Sequence, residues 1–404
     1  MILIYSCIIS YYIISVTFLF FCYKKYYISP IGIFSFFQLI MFTGIIRIAD
    51  LKNFSDIKLI YIYLIGLAGV ILGNFLKIKR LYIFLKSKSL KKLPKNINLR
   101  IILMILFSFI IIFLFFYNIG YKDIDLKNFS EYRKKINYTV GSGYIYQFRV
   151  FIFPFLILYS INFSKGITKI LSYLLFPFMC IFLIASGQRM GLVIAFLSYV
   201  LALILLHHHK IKNITKNKKS ILLIIIVCTL FFILTILNNR INISGSFLNA
   251  IFDRIFYDNQ LAAKLAFRYI DKRPVQFGKD WFYMFLDILP GKNNYISVAN
   301  LIHGYLYGGS LTGTCPPDLW GSIYYNFGMC GIFLFSTLIG FFYKIAYLNY
   351  YYSAKTPYTV FFYSYLFFYL GFWVADSPMY FFNDGVITML ILNFYLTYRI
   401  RGGK

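Results

Sequence analysis

Apolar runs of about 17 to 23 residues recur along this whole chain, and a helix of that length covers the roughly 30 Å hydrocarbon core of a bilayer. Composition leaves them no other home. With 60% hydrophobic and 22% aromatic residues against 13% charged ones, a water-soluble core could not hide the apolar surface. The expected fold class is therefore an all-α polytopic integral membrane protein, a single transmembrane domain over residues 1–404 with about eleven transmembrane helices. The spans fall near residues 1–23, 28–48, 58–76, 101–120, 144–163, 169–185, 190–206, 221–237, 321–343, 358–375 and 385–398. Met1 to Cys22 is one long apolar run followed by Lys24 and Lys25, so it reads as a permanent first span rather than a cleaved signal.

Net charge is +28, but the basic residues sit between apolar spans and not in a soluble basic domain, which argues against nucleic-acid binding. Cytoplasmic loops of membrane proteins carry an excess of Lys and Arg. Lys77 to Arg100 holds nine basic residues and no acid, and Lys210 to Lys219 holds five and none, so both are expected inside. Alternating the other loops from these two puts 23 of the 41 cations on the cytoplasmic side and all 13 acids outside. The N-terminus is then outside, and Arg399, Arg401 and Lys404 are cytoplasmic. The weakest joint is Ser186-Gly187-Gln188-Arg189, which reads either as a turn between spans or as a kink in one long segment.

Two outer loops exceed what a simple connection needs: residues 121–143 and, much longer, residues 238–320. The second contains Phe247, Ile251, Ile255, Leu261 and Leu265 interleaved with Arg254, Lys264 and Arg268, the pattern of amphipathic helices lying at a membrane interface. Trp281, Phe282, Tyr283 and Phe285 read as an interfacial aromatic anchor.

Arginine is distributed differently from lysine. Eight of twelve arginines fall outside (Arg47, Arg133, Arg149, Arg189, Arg240, Arg254, Arg268 and Arg273), against ten of twenty-nine lysines. The guanidinium binds phosphate with two parallel bonds and keeps its charge when desolvated, which lysine does less well. Arg149 and Arg189 sit at outer ends of spans, where an ionisable side chain either marks a functional site, reaches up to lipid headgroups, or pairs with an acid such as Asp280 or Asp318. Arg254 and Arg268 read either as ligand contacts or as the wet face of an amphipathic helix. For a general base, His303 has the right intrinsic pKa, whereas Asp318 suits either a base or a helix cap. The run His207-His208-His209 beside Lys210 reads as surface, because three consecutive helical residues point in different directions. Six scattered cysteines give neither a disulfide framework nor metal-ligand spacing. No glycine-rich phosphate loop, GxSxG, HExxH or Asp-x-Asp pair occurs, so no metal or other cofactor is expected.

Three stretches carry a family resemblance: Ala185-Ser186-Gly187-Gln188-Arg189-Met190-Gly191, the large late outer loop, and Thr312-Gly313-Thr314-Cys315-Pro316-Pro317-Asp318-Leu319-Trp320-Gly321 leading into Tyr324-Tyr325-Asn326-Phe327-Gly328. With them the chain resembles the O-antigen or oligosaccharide repeat-unit polymerases (the Wzy type). The resemblance implies a metal-independent glycosyltransferase of the bacterial cytoplasmic membrane. It would move a growing glycan from undecaprenyl pyrophosphate onto an incoming lipid-linked repeat unit, in contact with membrane lipid and with a chain-length regulator as partner. By the same resemblance Arg149, Arg189, Arg254 and Arg268, with Gly187, Tyr325 and Asn326, would hold pyrophosphate or glycan, and His303 or Asp318 would serve the acceptor. Competing readings are an O-antigen ligase, a lipid-linked oligosaccharide flippase or other transporter, and a structural partner of a glycan assembly complex. A transporter would be expected to carry charges within several spans and paired repeats.

Overall fold

In the computed structural model, residues 2–77, 79–88, 93–119, 148, 152–185, 189–211, 256–257, 259–286, 295–309, 315, 317–372 and 385–398 are described, and every regular element among them is a helix. In chain order these are α1 (Ile2–Tyr26), α2 (Pro30–Ile48), α3 (Phe54–Phe75), α4 (Lys79–Lys88), α5 (Ile97–Ile119), α6 (Phe153–Phe163) and α7 (Gly166–Ala185), followed by α8 (Arg189–His208), α9 (Asn259–Ile270), α10 (Lys279–Leu286), α11 (Val298–Leu306), α12 (Asp318–Tyr352), α13 (Pro357–Phe372) and α14 (Val386–Thr397).

Six helices are long and apolar enough to cross a membrane: Ile4–Tyr26, Pro30–Ile48, Phe54–Phe75, Ile97–Tyr117, Gly166–Leu183 and Asp318–Tyr352. The protein is thus a helical membrane protein. These six answer the spans expected near 1–23, 28–48, 58–76, 101–120, 169–185 and 321–343. Those expected near 144–163, 358–375 and 385–398 correspond to shorter helices of 11, 16 and 12 residues. The span expected near 190–206 corresponds to α8, whose apolar stretch is Ile194–His208. The expected span at 221–237 and the loop at 121–143 lie outside the described residues.

Local signals start the helices where they begin. Ser29 caps α2 by accepting from the Gly32 amide, with Pro30 preset for the first turn, and Asn53 caps α3 by accepting from the Ser55 amide, with Asp56 favourably placed in that turn. Gly166, at φ +56, opens the bend from α6 into α7.

Two compact units divide the chain. The first comprises Met1–Ile83, Ile243–Leu348 and Leu370–Tyr380. Within it α1, α2 and α3 pack on one another and α9 lies across α2 and α3. Small residues decide how closely α3 and α12 approach. A Cβ on Gly73 would stand 1.9 Å from the Thr337 carbonyl oxygen, and one on Gly340 would stand 2.0 Å from that of Val70. In lipid, where hydrophobic exclusion does not drive helices together, such backbone contact is a main source of association. Gly340→Ala is therefore expected to force the two backbones apart and to destabilise the protein by about 1–3 kcal/mol or more, read as thermal unfolding in detergent.

The second unit comprises Phe84–Asn242, Asn349–Tyr369 and Phe381–Lys404. Here α6 and α7 form a hairpin against α5 and α8, and α14 packs on α5. Phe155, fully buried, is ringed by Tyr358, Phe361, Phe362 and Tyr365 at centroid distances of 5.5–6.3 Å. Arg100 closes α14 by donating Nη1 to the Tyr395 and Tyr398 carbonyls at 2.6 and 2.7 Å. The histidine run is not wholly surface. His207 and His208 are exposed, whereas half-buried His209 meets the Tyr350 hydroxyl through Nε2.

Candidate functional site

The described part of the large late loop is folded, and it is clamped onto the ends of α2, α3 and α12. The first clamp joins the first turn of α3 to the last turn of α9. Arg268 donates Nε and Nη2 to the two oxygens of Asp56 at 2.7 and 2.8 Å, and the Asp50 amide adds a third bond to that carboxylate at 2.8 Å. Lys58 pairs with Asp271 at 2.6 Å, and Ser55 and Tyr324 donate to the same carboxylate at 2.7 and 3.0 Å. Lys264 donates to the Ile48 carbonyl at 2.7 Å, where the negative end of the α2 dipole favours a cation. Gly44, lacking a Cβ, lets Gln260 sit against α2.

Burial pushes the Asp271 carboxyl up, but hydrogen bonds from Lys58, Ser55 and Tyr324, with the charge of Lys58, outweigh it and hold the group below its ordinary value of 3.8. A carboxylate depressed in the folded state stabilises above its unfolded pKa, and this contribution disappears as pH falls through the lower folded value. The clamp is expected to weaken on acidification below about pH 4. Asp271→Asn should flatten the dependence of the melting temperature on pH in that range.

The second clamp arises from a break in α12. Gly328 adopts φ 65, ψ −162, which no helix accommodates, so the Tyr325 and Asn326 carbonyls lose their place in the helical ladder. The Gln276 and Gly278 amides take them up at 2.9 and 3.1 Å, across a turn in which Phe277 and Gly278 have φ of 50 and 81. Trp281 then packs edge-on against Phe327 and Phe335, and its Nε1 donates to Ser322 at 3.0 Å. The expected aromatic anchor is therefore split: Trp281 turns inward because its N–H finds a partner there, while Phe282 and Phe285 remain exposed.

Asp280, fully buried at the start of α10, accepts from the Val298 amide at 2.9 Å and from the Tyr295 hydroxyl at 3.1 Å. Burial dominates these bonds and raises its carboxyl above the ordinary value, and the Tyr295 hydroxyl is raised by burial and by the neighbouring acid. Asp318, buried with φ 59, accepts from the Gly321 amide and from the Tyr63 hydroxyl, each at 2.6 Å. Both its oxygens are committed. It caps α12 and ties that helix to α3.

The remaining sequence candidates are not all gathered in one place. His303 lies half-buried on α11 with its ring 4.7 Å from that of Tyr307. Tyr325 belongs to the buried cluster formed by Ala266, Ile270, Val298, Ile302 and Cys315. Asn326 is fully buried, donates to the Ser322 carbonyl at 3.0 Å and accepts from the Trp281 amide at 3.4 Å. These two residues hold the framework together. Arg268 is likewise engaged by Asp56 along one edge of its guanidinium. Arg189 is the first residue of α8. Arg149, Arg254 and Gly187 lie outside the described residues, as does the Arg189 side chain.

Tyr269, Tyr305 and Arg273 form a surface feature that sequence reading did not single out. Arg273, exposed, stands 4.8 Å over the Tyr269 ring, whose centroid is 4.9 Å from that of Tyr305. Thirty-six positions separate the two tyrosines, and among 38 tyrosines nothing in the pattern marks them as neighbours. Arg273 alone carried a signal, as one of the eight outer arginines. In comparisons with protein-family models, curated proteins and solved structures, the chain matches none of them.

Proposed function

We propose that this protein is a polymerase of bacterial surface polysaccharide, acting at the outer face of the cytoplasmic membrane with its N-terminus outside. The acceptor hydroxyl of a lipid-linked repeat unit attacks the anomeric carbon of the growing glycan. The bond from that carbon to undecaprenyl pyrophosphate breaks, and the hydroxyl proton passes to a base. Stabilising the departing pyrophosphate is work for preorganised arginines, with Arg189 as the first residue to test. Of the two base candidates His303 is preferred, because both Asp318 oxygens already accept hydrogen bonds.

The observation that carries this reading is the folded polar cap, residues 259–286 and 295–309, clamped by ion pairs and backbone bonds onto the ends of apolar helices. Among the described side chains, the charged ones of the apolar helices lie toward their ends: Lys24 and Lys25, Arg47, Asp56 and Lys58, Arg100, Lys169, Asp318 and Lys344. A carrier moving an ionic substrate through its bundle would be expected to place ionisable groups nearer the middle.

The test is the length distribution of the host's surface glycan on a gel, after deleting the gene and restoring it with wild type, Arg189→Ala or Arg189→Lys. Collapse to one repeat unit, rescued by wild type but by neither variant, is the expected result. Long chains that persist on the carrier lipid without reaching their final acceptor would instead favour a ligase, and an unchanged ladder would remove both readings.

A further inference from the structure

Tyr269 projects from the last turn of α9 and Tyr305 from the last turn of α11, at the seam where these helices pack through Ala262, Ala266 and Ile270 against Val298, Ile302 and Leu306. The buried seam holds the two rings at a centroid distance of 4.9 Å and an interplanar angle of 40°. One side of this tilted pair is closed by the Arg273 guanidinium. The other side is open, since Tyr305 is 59% exposed while Tyr269 is half-buried. The Tyr305 hydroxyl is within electrostatic reach of Arg268. Arg273 therefore stands over one side of a tilted tyrosine pair whose outer hydroxyl couples to Arg268. Among the described residues Arg273 forms no ion pair, while the nearest acid in sequence, Asp271, is taken up by Lys58, Ser55 and Tyr324.

Resting on the polymerase reading, we infer that this tyrosine pair with Arg273 is a glycan subsite, binding a sugar ring that carries or adjoins an acidic group. An exposed phenol ring offers an apolar face to the C–H face of a pyranose and a hydroxyl to its rim. Arg273, which forms no ion pair among the described residues, and Lys272, exposed beside it, supply the charge that an anionic substituent needs. Attachment to acyl chains is a poorer use of the same residues, because a guanidinium held on the ring face would have to be desolvated with it.

The experiment uses the repeat-unit oligosaccharide, freed from its carrier lipid by mild acid from cells lacking the gene, titrated into the full-length protein in detergent. Tyr305→Ala and Arg273→Ala are each expected to weaken binding about tenfold or more, the loss of one charge-assisted or stacking contact, while Tyr305→Phe keeps the ring and most of the affinity. Both residues are exposed, and an unchanged melting temperature for each variant excludes misfolding. Equal affinity for wild type and both alanine variants overturns the inference. So does the absence of oligosaccharide binding in any of them, together with loss of adhesion to vesicles of anionic phospholipid in Arg273→Ala, which would make the patch a headgroup contact. The glycan ladder separates the two levels. If deletion collapses the ladder and Tyr305→Ala restores it in full, the subsite is wrong and the polymerase reading stands. If deletion leaves the ladder unchanged, the polymerase reading falls and the titration alone decides the subsite.

Discussion

Arg268→Ala is expected to lower the stability of the protein by about 3 kcal/mol, the lower end of the range for removing one partner of a buried ion pair. Asp56 is the reason. Its side chain is 1% exposed, and without the guanidinium the Asp50 amide is its one remaining donor among the described residues. The lower end applies because Arg268 itself is 30% exposed, so water screens part of the pair. Arg268→Lys should recover only part of the loss, since an ammonium cannot reproduce the two parallel bonds. Removing both partners, in Arg268→Ala with Asp56→Ala, should cost clearly less than the sum of the single changes, because no carboxylate is then left stranded. Thermal unfolding in detergent of wild type, Arg268→Ala, Arg268→Lys, Asp56→Ala and the double variant reads all of this. A ligand arginine held only for substrate would behave differently, losing activity while the melting temperature stayed put.

Trp320→Ala is expected to cost about 3–5 kcal/mol, and the cavity it leaves lies where α2, α3 and α12 meet. The ring is fully buried, lies 6.2 and 6.4 Å from the Phe34 and Tyr63 rings, and fills the space that Gly66 leaves by having no Cβ. Its Nε1 donates to Gln38 Oε1 at 2.8 Å. Trp320→Phe separates the two contributions: it retains most of the ring volume but strands the Gln38 oxygen, at about 1–3 kcal/mol. Gly66→Ala should approach the alanine variant in effect, because a Cβ there would stand 2.7 Å from the indole. Unfolding measured on the three proteins should rank Trp320→Ala and Gly66→Ala below Trp320→Phe, and all three below wild type.

What could be read in the sequence follows from which forces are local. Apolar length marks a helix without reference to anything distant, so α1, α2, α3, α5, α7 and α12 were legible, although α3 starts at Phe54 behind its Asn53 cap, four residues before the expected span at 58–76. The length of α12 was not. Nor was the break at Gly328, inside the span expected at 321–343, tolerated because the Gln276 and Gly278 amides replace the lost ladder partners from about fifty residues away. Asp318 shows how one residue type serves two roles at the same place in a chain. Its position before a helix fitted a base as well as a cap, and only the Tyr63 hydroxyl, 255 positions distant, commits its second oxygen. Arg268 was legible as an unusual outer arginine but not as Asp56's partner, 212 positions away. The Tyr269 and Tyr305 ring pair was invisible for the same reason, in a chain where aromatic residues are too common to stand out.

Purified protein reconstituted in vesicles, with the lipid-linked repeat unit of its host as the sole added substrate, gives the most direct test of the proposed activity. If the protein is a polymerase, products of two and more repeat units accumulate on the carrier lipid, one undecaprenyl pyrophosphate is released for each bond formed, and Arg189→Ala abolishes both. Repeat units that stay single while the protein remains folded, by its melting temperature, would contradict that assignment.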